Sequence, residues 1–525
     1  MRTAFSARRI LETRQRCRFG FRTFILTIAV IYFSGMYIFH SQLPMEPFGR
    51  SGHPDLLARF GTNSHDSTIH SGTDGQRQRA DDLQNAFDSI RQQVSGSDDH
   101  LSPATMSYER YENETREAEK QSNGTVPFEL FDGNVPENCR NFLPDMYTEK
   151  GSEYEFVKIS QDAWAYSAYL DSRPNDFDNE HYGSFVRTMV VARSRSLREL
   201  RCIISNSETG METAVVATYY DMCENHNTAY GGFIVSCEVP DALVHEPLCS
   251  VQIIDLESGH APVRLRLRML QKSARQRDFT VCVPPIFGPV SVRHLIEFVE
   301  ISSSLGANHI VFYVFQIPEP VRLVLEYYVH RRGLAEIVRW PLPLYLYVEI
   351  SYHGQLVALQ DCLYRNMATS RYVAFYDIDE FIVPHNFTNW TSMAEHVDRP
   401  NQCALSFTST FFDPNRLNAQ LSSEPVRSLK ALERTPYSTL MTKCMAKPDR
   451  VFEMRIHHVS KPIQADLAVT RVHPDLALLH HYRPCISTLK QACNDSDNVK
   501  EERMLMYKQR ILDAFSSAVS EISDL

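Results

Sequence analysis

From Phe279 to Tyr376 the chain alternates short apolar, β-branched runs with amphipathic stretches of helical length, and this pattern constrains the fold more than any other feature. Residues 279–283, 309–315, 335–340 and 372–376 read as strands, with helices at 292–305, 320–331 and 355–365 between them. Such repeats cover both faces of a sheet, so the expectation is an open, mainly parallel α/β sheet. Ligands of these sheets sit beyond the carboxyl ends of the strands. The last strand of the series delivers Asp377 and Asp379 to that edge, at the end of Arg371-Tyr-Val-Ala-Phe-Tyr-Asp-Ile-Asp-Glu-Phe381. On extended backbone, residues i and i+2 point the same way, so both carboxylates can reach one divalent cation, and oxygen ligands favour magnesium or manganese. Taken alone, the pair also fits a solvated cap after a core strand. No Gly-x-Gly-x-x-Gly or phosphate-loop sequence is present, which argues against a dinucleotide fold or an ATPase.

Upstream the texture differs. Within 135–276, runs at 163–170, 185–192, 200–205, 213–220, 232–239, 249–256 and 263–270 are separated by turn signals without intervening helices. They predict a β-sandwich-like accessory domain, either a carbohydrate-binding module or a spacer. Residues 277–525 form the catalytic candidate. The segment 40–134 is polar, too poor in apolar clusters to bury a core, and reads as a largely disordered stem. A helix at 80–94 has only the narrow apolar face Leu83, Phe87, Ile90 and Val94.

The N-terminus is strongly basic. Residues 1–22 carry Arg2, Arg8, Arg9, Arg14, Arg16, Arg18 and Arg22 against a single acid, Glu12, and an apolar segment follows at 23–39. As a helix it spans roughly 26 Å, the short end of a transmembrane span and suited to thin early-secretory bilayers. Bulky Tyr37, Ile38, Phe39 and His40 stand where a cleaved signal would have small residues. The expectation is a single transmembrane helix acting as an uncleaved signal-anchor, a cytosolic basic tail and a luminal C-terminal mass, that is, a single-pass type II membrane protein. A luminal address makes five sequons coherent, at Asn113, Asn123, Asn386, Asn389 and Asn494. It also makes coherent the twelve cysteines, eleven of them beyond the membrane once Cys17 is set aside. An oxidising lumen implies a partial disulfide framework with one thiol left over, and Cys485 and Cys493 are close enough in sequence to pair. The net charge of −10 argues against a nucleic-acid partner.

Type II topology, stem, α/β sheet and acidic pair together resemble a luminal nucleotide-sugar glycosyltransferase of the GT-A type, and more specifically glycosyltransferase family 92. The segments that carry the resemblance are Gly354-Gln-Leu-Val-Ala-Leu-Gln-Asp-Cys-Leu-Tyr-Arg365, Asp377 to Glu380, Lys443 with Lys447-Pro448, His457-His458-Val459 and His481-Tyr482-Arg483. They span roughly 278–484. The resemblance implies a Golgi membrane location with the catalytic domain luminal and an accessory role for the β-rich region. It also implies metal-dependent inverting transfer of a hexose, galactose from UDP-galactose in β linkage, onto a glycan acceptor such as N-glycan core fucose. Its metal would be manganese.

The resemblance assigns Asp379 as the most direct metal ligand, Asp377 as a ribose contact or second ligand, and His481 as the third, with His480, His457 and His458 as competitors. Lys443 and Arg365 are candidates for the pyrophosphate, because charge-assisted hydrogen bonds to phosphate favour such side chains. Inverting transfer needs a general base, for which Asp413 in Phe411-Phe-Asp-Pro414 is the choice and Glu380 the competitor. Asp413 also fits a plain Asp-Pro turn. A glycosidase would need carboxylates flanking a sugar, which adjacent acids on one strand end do not supply. A metal-dependent phosphatase or nuclease would use the same pair but needs neither stem nor anchor. The non-enzymatic alternative is an inactive lectin-like or scaffold glycoprotein of the secretory pathway.

Overall fold

A computed structural model describes residues 139, 155–175, 183–206, 208–268, 277–288, 290–343, 346–347, 349–483 and 498–523, all within the unit Arg79–Leu525. The basic tail, the signal-anchor, the stem with its 80–94 helix, Asn113, Asn123, Asn494, Cys485 and Cys493 lie outside the described residues. Among the described residues no helix is long and apolar enough to cross a membrane.

All seven upstream runs become strands. They are β2 (Ala163–Asp171), β3 (Phe185–Arg193), β4 (Leu200–Asn206), β5 (Glu212–Val216) with β6 (Thr218–Asp221), β7 (Tyr230–Glu238), β8 (Leu248–Asp255) and β9 (Val263–Arg268), preceded by β1 (Val157–Ser160). The run 213–220 is split because its first half pairs with β4, down to the Ala217 amide donating to the Leu200 carbonyl, whereas Thr218–Asp221 pairs with β7. A nine-stranded sheet in the order β5-β4-β8-β9-β2-β3-β7-β6, with β1 on β2, replaces two separate sheets. The reason is β9, which pairs antiparallel with β8 through its first residues and parallel with β2 through Leu267 and Arg268. The halves still pack face to face as in a sandwich, around Val186, Val190, Phe233, Val235, Ile204 and Val251. Cys202–Cys237 bridges β4 to β7 across that core.

The strands of this sheet alternate between two cores. On β2, Ala163 and Ala165 face the sandwich, whereas Trp164, Tyr166 and Tyr169 face the downstream region. Tyr166 meets Trp340 at a 4.6 Å ring separation, and Tyr169 meets Tyr364 at 5.9 Å. Large aromatic rings therefore bind the β-rich region to the α/β region through one continuous core.

The downstream elements start with β10 (Arg277–Phe287), α1 (Val292–Leu305), β11 (His309–Gln316), α2 (Glu319–Glu326), β12 (Ala335–Arg339), α3 (Gln355–Arg365) and β13 (Ser370–Phe375). Ser291 caps α1 by accepting from the His294 amide, and Gly306 ends it at φ 138°. The 320–331 helix differs from expectation: past Glu326 it widens into a π turn, Tyr327–Arg331, which brings neighbouring Tyr327 and Tyr328 both into the core. The remaining elements are β14 (Glu380–Pro384), α4 (Trp390–Val397), β15 (Gln402–Phe412), β16 (Glu433–Arg434), β17 (Ser438–Ala446), the hairpin β18 (Val451–Met454) and β19 (Val459–Pro462), β20 (Ala468–Arg471), β21 (Ala477–Tyr482), β22 (Val499–Lys500) and α5 (Lys508–Ser523).

The sheet is mixed rather than mainly parallel. β12-β11-β10-β13 run parallel, β17 then pairs antiparallel with both β13 and β15, and β20 pairs parallel with β15. A branch forms where β21 pairs antiparallel with β14 and parallel with β15. The connection from β15 to β17 explains part of this, because residues 413–437 hold only short 3₁₀ turns and β16 where a parallel return would carry a crossover helix, and an antiparallel return needs none. Cys282–Cys362 ties β10 to α3, Cys139–Cys249 reaches β8, and Cys223 is also disulfide-bonded. Among the described residues two buried thiols, Cys403 and Cys444, are free.

Candidate active site

The chain lays β11 and β12 on one side of β10 and then returns to lay β13 on the other. That reversal opens a crevice beyond the carboxyl ends of β10 and β13, the usual ligand position in such sheets. The Asp377–Glu380 turn lies there. Buried Tyr376 anchors its start by donating to Ser302 Oγ at 3.0 Å. The turn closes on itself: the Glu380 amide donates to the Asp377 carbonyl at 3.0 Å, and the Asp377 amide to Glu380 Oε2 at 2.9 Å.

Lys443, on neighbouring β17, joins the turn from the side. Its Nζ lies 2.8 Å from Asp377 Oδ2 and 3.1 Å from Glu380 Oε2. Burial alone would depress the ammonium pKa, but the two carboxylates raise it, so Lys443 is a fixed positive charge. Glu380 is pushed the other way: burial raises its pKa against the pull of Lys443 and His481. At 1% exposure Glu380 bridges the turn to Lys443 from behind. That position does not suit the general-base role for which it was a competitor, because an acceptor hydroxyl cannot reach it.

His481 comes from β21, directly opposite Glu380 in the ladder. Its Nε2 is 3.3 Å from Asp379 Oδ2, and its Nδ1 is 3.2 Å from Glu380 Oε1 without hydrogen-bond alignment. The Tyr482 amide donates to the Asp379 carbonyl at 2.8 Å, which pins both strands at this level. Burial would raise the Asp379 pKa, yet the His481 hydrogen bond and charge hold it below the ordinary carboxylate value. Strand periodicity separates His481 from its competitor His480, which turns to the opposite face and packs on Phe412 at 4.6 Å. His457 Nδ1 sits 3.2 Å from the Thr442 carbonyl at the hairpin tip, and His458 is exposed beside it. Of the four histidines, His481 is the one paired with the acidic turn.

A divalent cation fits part of this arrangement. Two ligands bound side by side on an octahedral cation lie about 3 Å apart, close to the Asp379–His481 separation. Among the described residues no group of three His, Cys, Asp or Glu side chains closes on one point. The structure thus joins Asp379 and His481, and it commits Asp377 Oδ2 to Lys443.

Other expected site residues are placed elsewhere. Arg365 is removed from the pyrophosphate role, because it lies at the amino edge of the parallel strands, with Nη2 2.8 Å from Asp361 Oδ2 and Nη1 3.2 Å from Glu336 Oε1. Its place near Asp379 is taken by His294 and Arg483, whose charges both lower the Asp379 pKa. Arg483 was within a quoted motif, but nothing in the sequence marked His294. Asp413 follows β15 and starts a turn, accepting from the Asn415 amide at 2.9 Å with Arg416 Nε at 3.6 Å. Asn386 is exposed at φ 63°, whereas Asn389 caps α4 by accepting from the Ser392 amide.

The family model described as Glycosyltransferase family 92 matches residues 277–514. Beta-1,4-galactosyltransferase galt-1 of Caenorhabditis elegans is 25% identical over 382 residues, covering 69% of this chain and 83% of that protein. A Glycosyltransferase family 92 protein of the same nematode is 22% identical over 248 residues, covering 45% of this chain and 47% of its own length.

Proposed function

Because residues 277–514 belong to glycosyltransferase family 92, a premise that implies a nucleotide-sugar donor and a glycan acceptor, we propose that the chain is a metal-dependent inverting hexosyltransferase. Its donor is UDP-galactose, transferred in β linkage onto a glycan such as N-glycan core fucose, the galactosyl part resting on the likeness to galt-1. The observation that carries the reading is the Asp379–His481 pair beside Lys443 at the switch point of the sheet. Asp379 and His481 would hold the cation, and manganese there would stabilise the charge that develops on the UDP leaving group. Lys443 sets the orientation of Asp377 toward the ribose. Arg483 and His294 face the phosphates in place of Arg365. Asp413, partly exposed at the carboxyl end of β15, takes the acceptor proton. Three described disulfides suit an oxidising compartment, and a type II anchor would hold the enzyme in the Golgi membrane with these domains luminal.

The test is a UDP-sugar screen of the full-length chain, measuring UDP release with and without manganese and a core-fucosylated N-glycan. Manganese-dependent release from UDP-galactose that rises with acceptor is the expected result. Retained glycan binding without turnover of any UDP-sugar would replace the reading with a lectin-like one.

A further inference from the structure

A shallow cleft separates the turn between β6 and β7 from the segment that leads into α3, and its lining includes Glu224, Asn225, His226, Thr228, Ser351 and Gly354. Four of the six non-glycine residues with positive φ among the described residues stand at this one place: His226 at 49°, Asn227 at 56°, Tyr352 at 45° and His353 at 55°. Each such residue costs on the order of 1 kcal/mol or more and persists only where surrounding contacts impose it. Those contacts are present on both rims. Asn225 accepts from the Gly232 amide at 2.7 Å and donates to Asp221 Oδ1 at 2.8 Å. Opposite, Trp340 Nε1 donates to the His353 carbonyl at 2.9 Å, and the His353 ring stacks on Tyr347 at 3.6 Å. The strain presents two rings to solvent, exposed His226 and Tyr352, the latter 67% exposed, with centroids 6.3 Å apart.

The cleft adjoins the acidic turn through a short chain of contacts. Ile456 lines it and donates its amide to Glu224 Oε2 at 2.8 Å. The next residue, His457, lies against Thr442, which precedes Lys443 and hence Asp377. No lysine or arginine is among the described residues that line the cleft, so it offers nothing to a pyrophosphate. The carboxylate of Glu224 is turned onto Ile456 and Arg455. What remains is an apolar floor, Tyr230, Ile350, Leu356 and Val357, under a neutral polar rim beside two exposed rings. That chemistry suits a ligand with hydroxyls along its edges and an apolar C–H face.

We propose that this cleft is the acceptor subsite, taking a neutral saccharide whose ring face lies on Tyr352 and whose hydroxyls meet the Asn225 to Thr228 turn. The proposal rests on the glycosyltransferase reading above and adds that the β-rich region contributes directly to acceptor recognition. Its rims are fixed before binding, which lowers the ordering cost of a weakly held sugar.

The test compares wild type with Tyr352→Gly and Tyr352→Phe in the full-length chain. Glycine accepts the left-handed backbone without strain, so Tyr352→Gly keeps the fold while deleting the ring. Expected is an acceptor KM about tenfold higher for Tyr352→Gly with a core-fucosylated N-glycan, near wild type for Tyr352→Phe, and a UDP-galactose KM that moves less than about twofold. Equal rises in both KM values, or an unchanged acceptor KM in Tyr352→Gly, would overturn the proposal. If wild type turns over no UDP-sugar, the function reading fails, and saturation-transfer NMR with the same N-glycan decides the subsite separately. Signal lost in Tyr352→Gly and kept in Tyr352→Phe supports it; no signal in wild type, or equal signal in all three proteins, overturns it.

Discussion

Two charged clusters of similar composition sit at opposite ends of the parallel strands. At the amino edge Arg365 faces Asp361 and Glu336, while Tyr169 donates to Asp361 Oδ1 at 2.6 Å and Tyr313 to its Oδ2. At the carboxyl edge Lys443 faces Asp377 and Glu380. Both basic side chains are nearly inaccessible, at 7% and 2%. Their carboxylates differ. Asp361 is fully buried with every oxygen spoken for, whereas Asp377 and Asp379 are 42% and 31% exposed toward the crevice. A cluster whose bonding capacity is spent internally holds the fold together. One that keeps oxygens open at a sheet's ligand edge can exchange partners with a ligand. The sequence presents Arg365 and Lys443 alike, and the full burial of Asp361 against the exposure of Asp377 tells them apart, because the second partners, Glu336 and Glu380, are both largely covered.

The largest effect that would break this comparison is on stability. Asp361→Ala leaves a buried guanidinium short of its main partner and strands two tyrosine hydroxyls, so unfolding in denaturant should lose about 3–5 kcal/mol. A loss below about 1 kcal/mol would mean that the amino-edge cluster is not the lock described here. Next comes turnover. Asp379→Asn should lower kcat about a hundredfold, equivalent to about 2.7 kcal/mol, with unfolding little changed. A variant that unfolds but retains turnover per folded molecule would make Asp379 structural too.

Acid should sharpen the contrast further. Burial would raise the Glu336 pKa, but Arg365 and then His309 pull it down to about 2 from an ordinary 4.5. A depressed carboxylate stabilises the folded state above its unfolded pKa, and this stability is lost as pH falls from about 4.5 toward 2. Up to about 2–3 kcal/mol should disappear across that window in wild type and be missing from Glu336→Gln, read as unfolding free energy against pH. Parallel curves for the two proteins would contradict the assignment. The smallest effect belongs to Asp377→Asn, expected to alter stability by no more than about 1 kcal/mol because its ion pair is half-exposed. A cost matching that of Asp361→Ala would erase the distinction between the two ends.

Local chemistry made much of this legible. The α1 boundaries, Val292–Leu305, follow from a serine cap and a terminal glycine that act within a single turn. The α3 span, Gln355–Arg365, and the seven upstream strands follow from apolar periodicity, which depends on neighbours in sequence. The acidic pair was readable in its place, just past β13 at the carboxyl edge of the sheet, but not in its geometry. The strand ends at Phe375, and the Asp377–Glu380 turn sends Asp377 to Lys443 and Asp379 to His481 instead of aiming both carboxylates together as extended backbone would. Pairing across the fold was not readable. That β9 would fuse two half-sheets, that β17 would enter antiparallel, and that β21 would lay His481 rather than His480 against Asp379 are matters of register between strands far apart in sequence, where a one-residue shift reverses every side chain. The fate of Arg365 was decided in the same way: its charge is written in the chain, but its neighbours Asp361, Glu336 and Tyr169 come together only when the β-rich sheet closes over α3, and that closure turns a phosphate-binding residue type into part of the core.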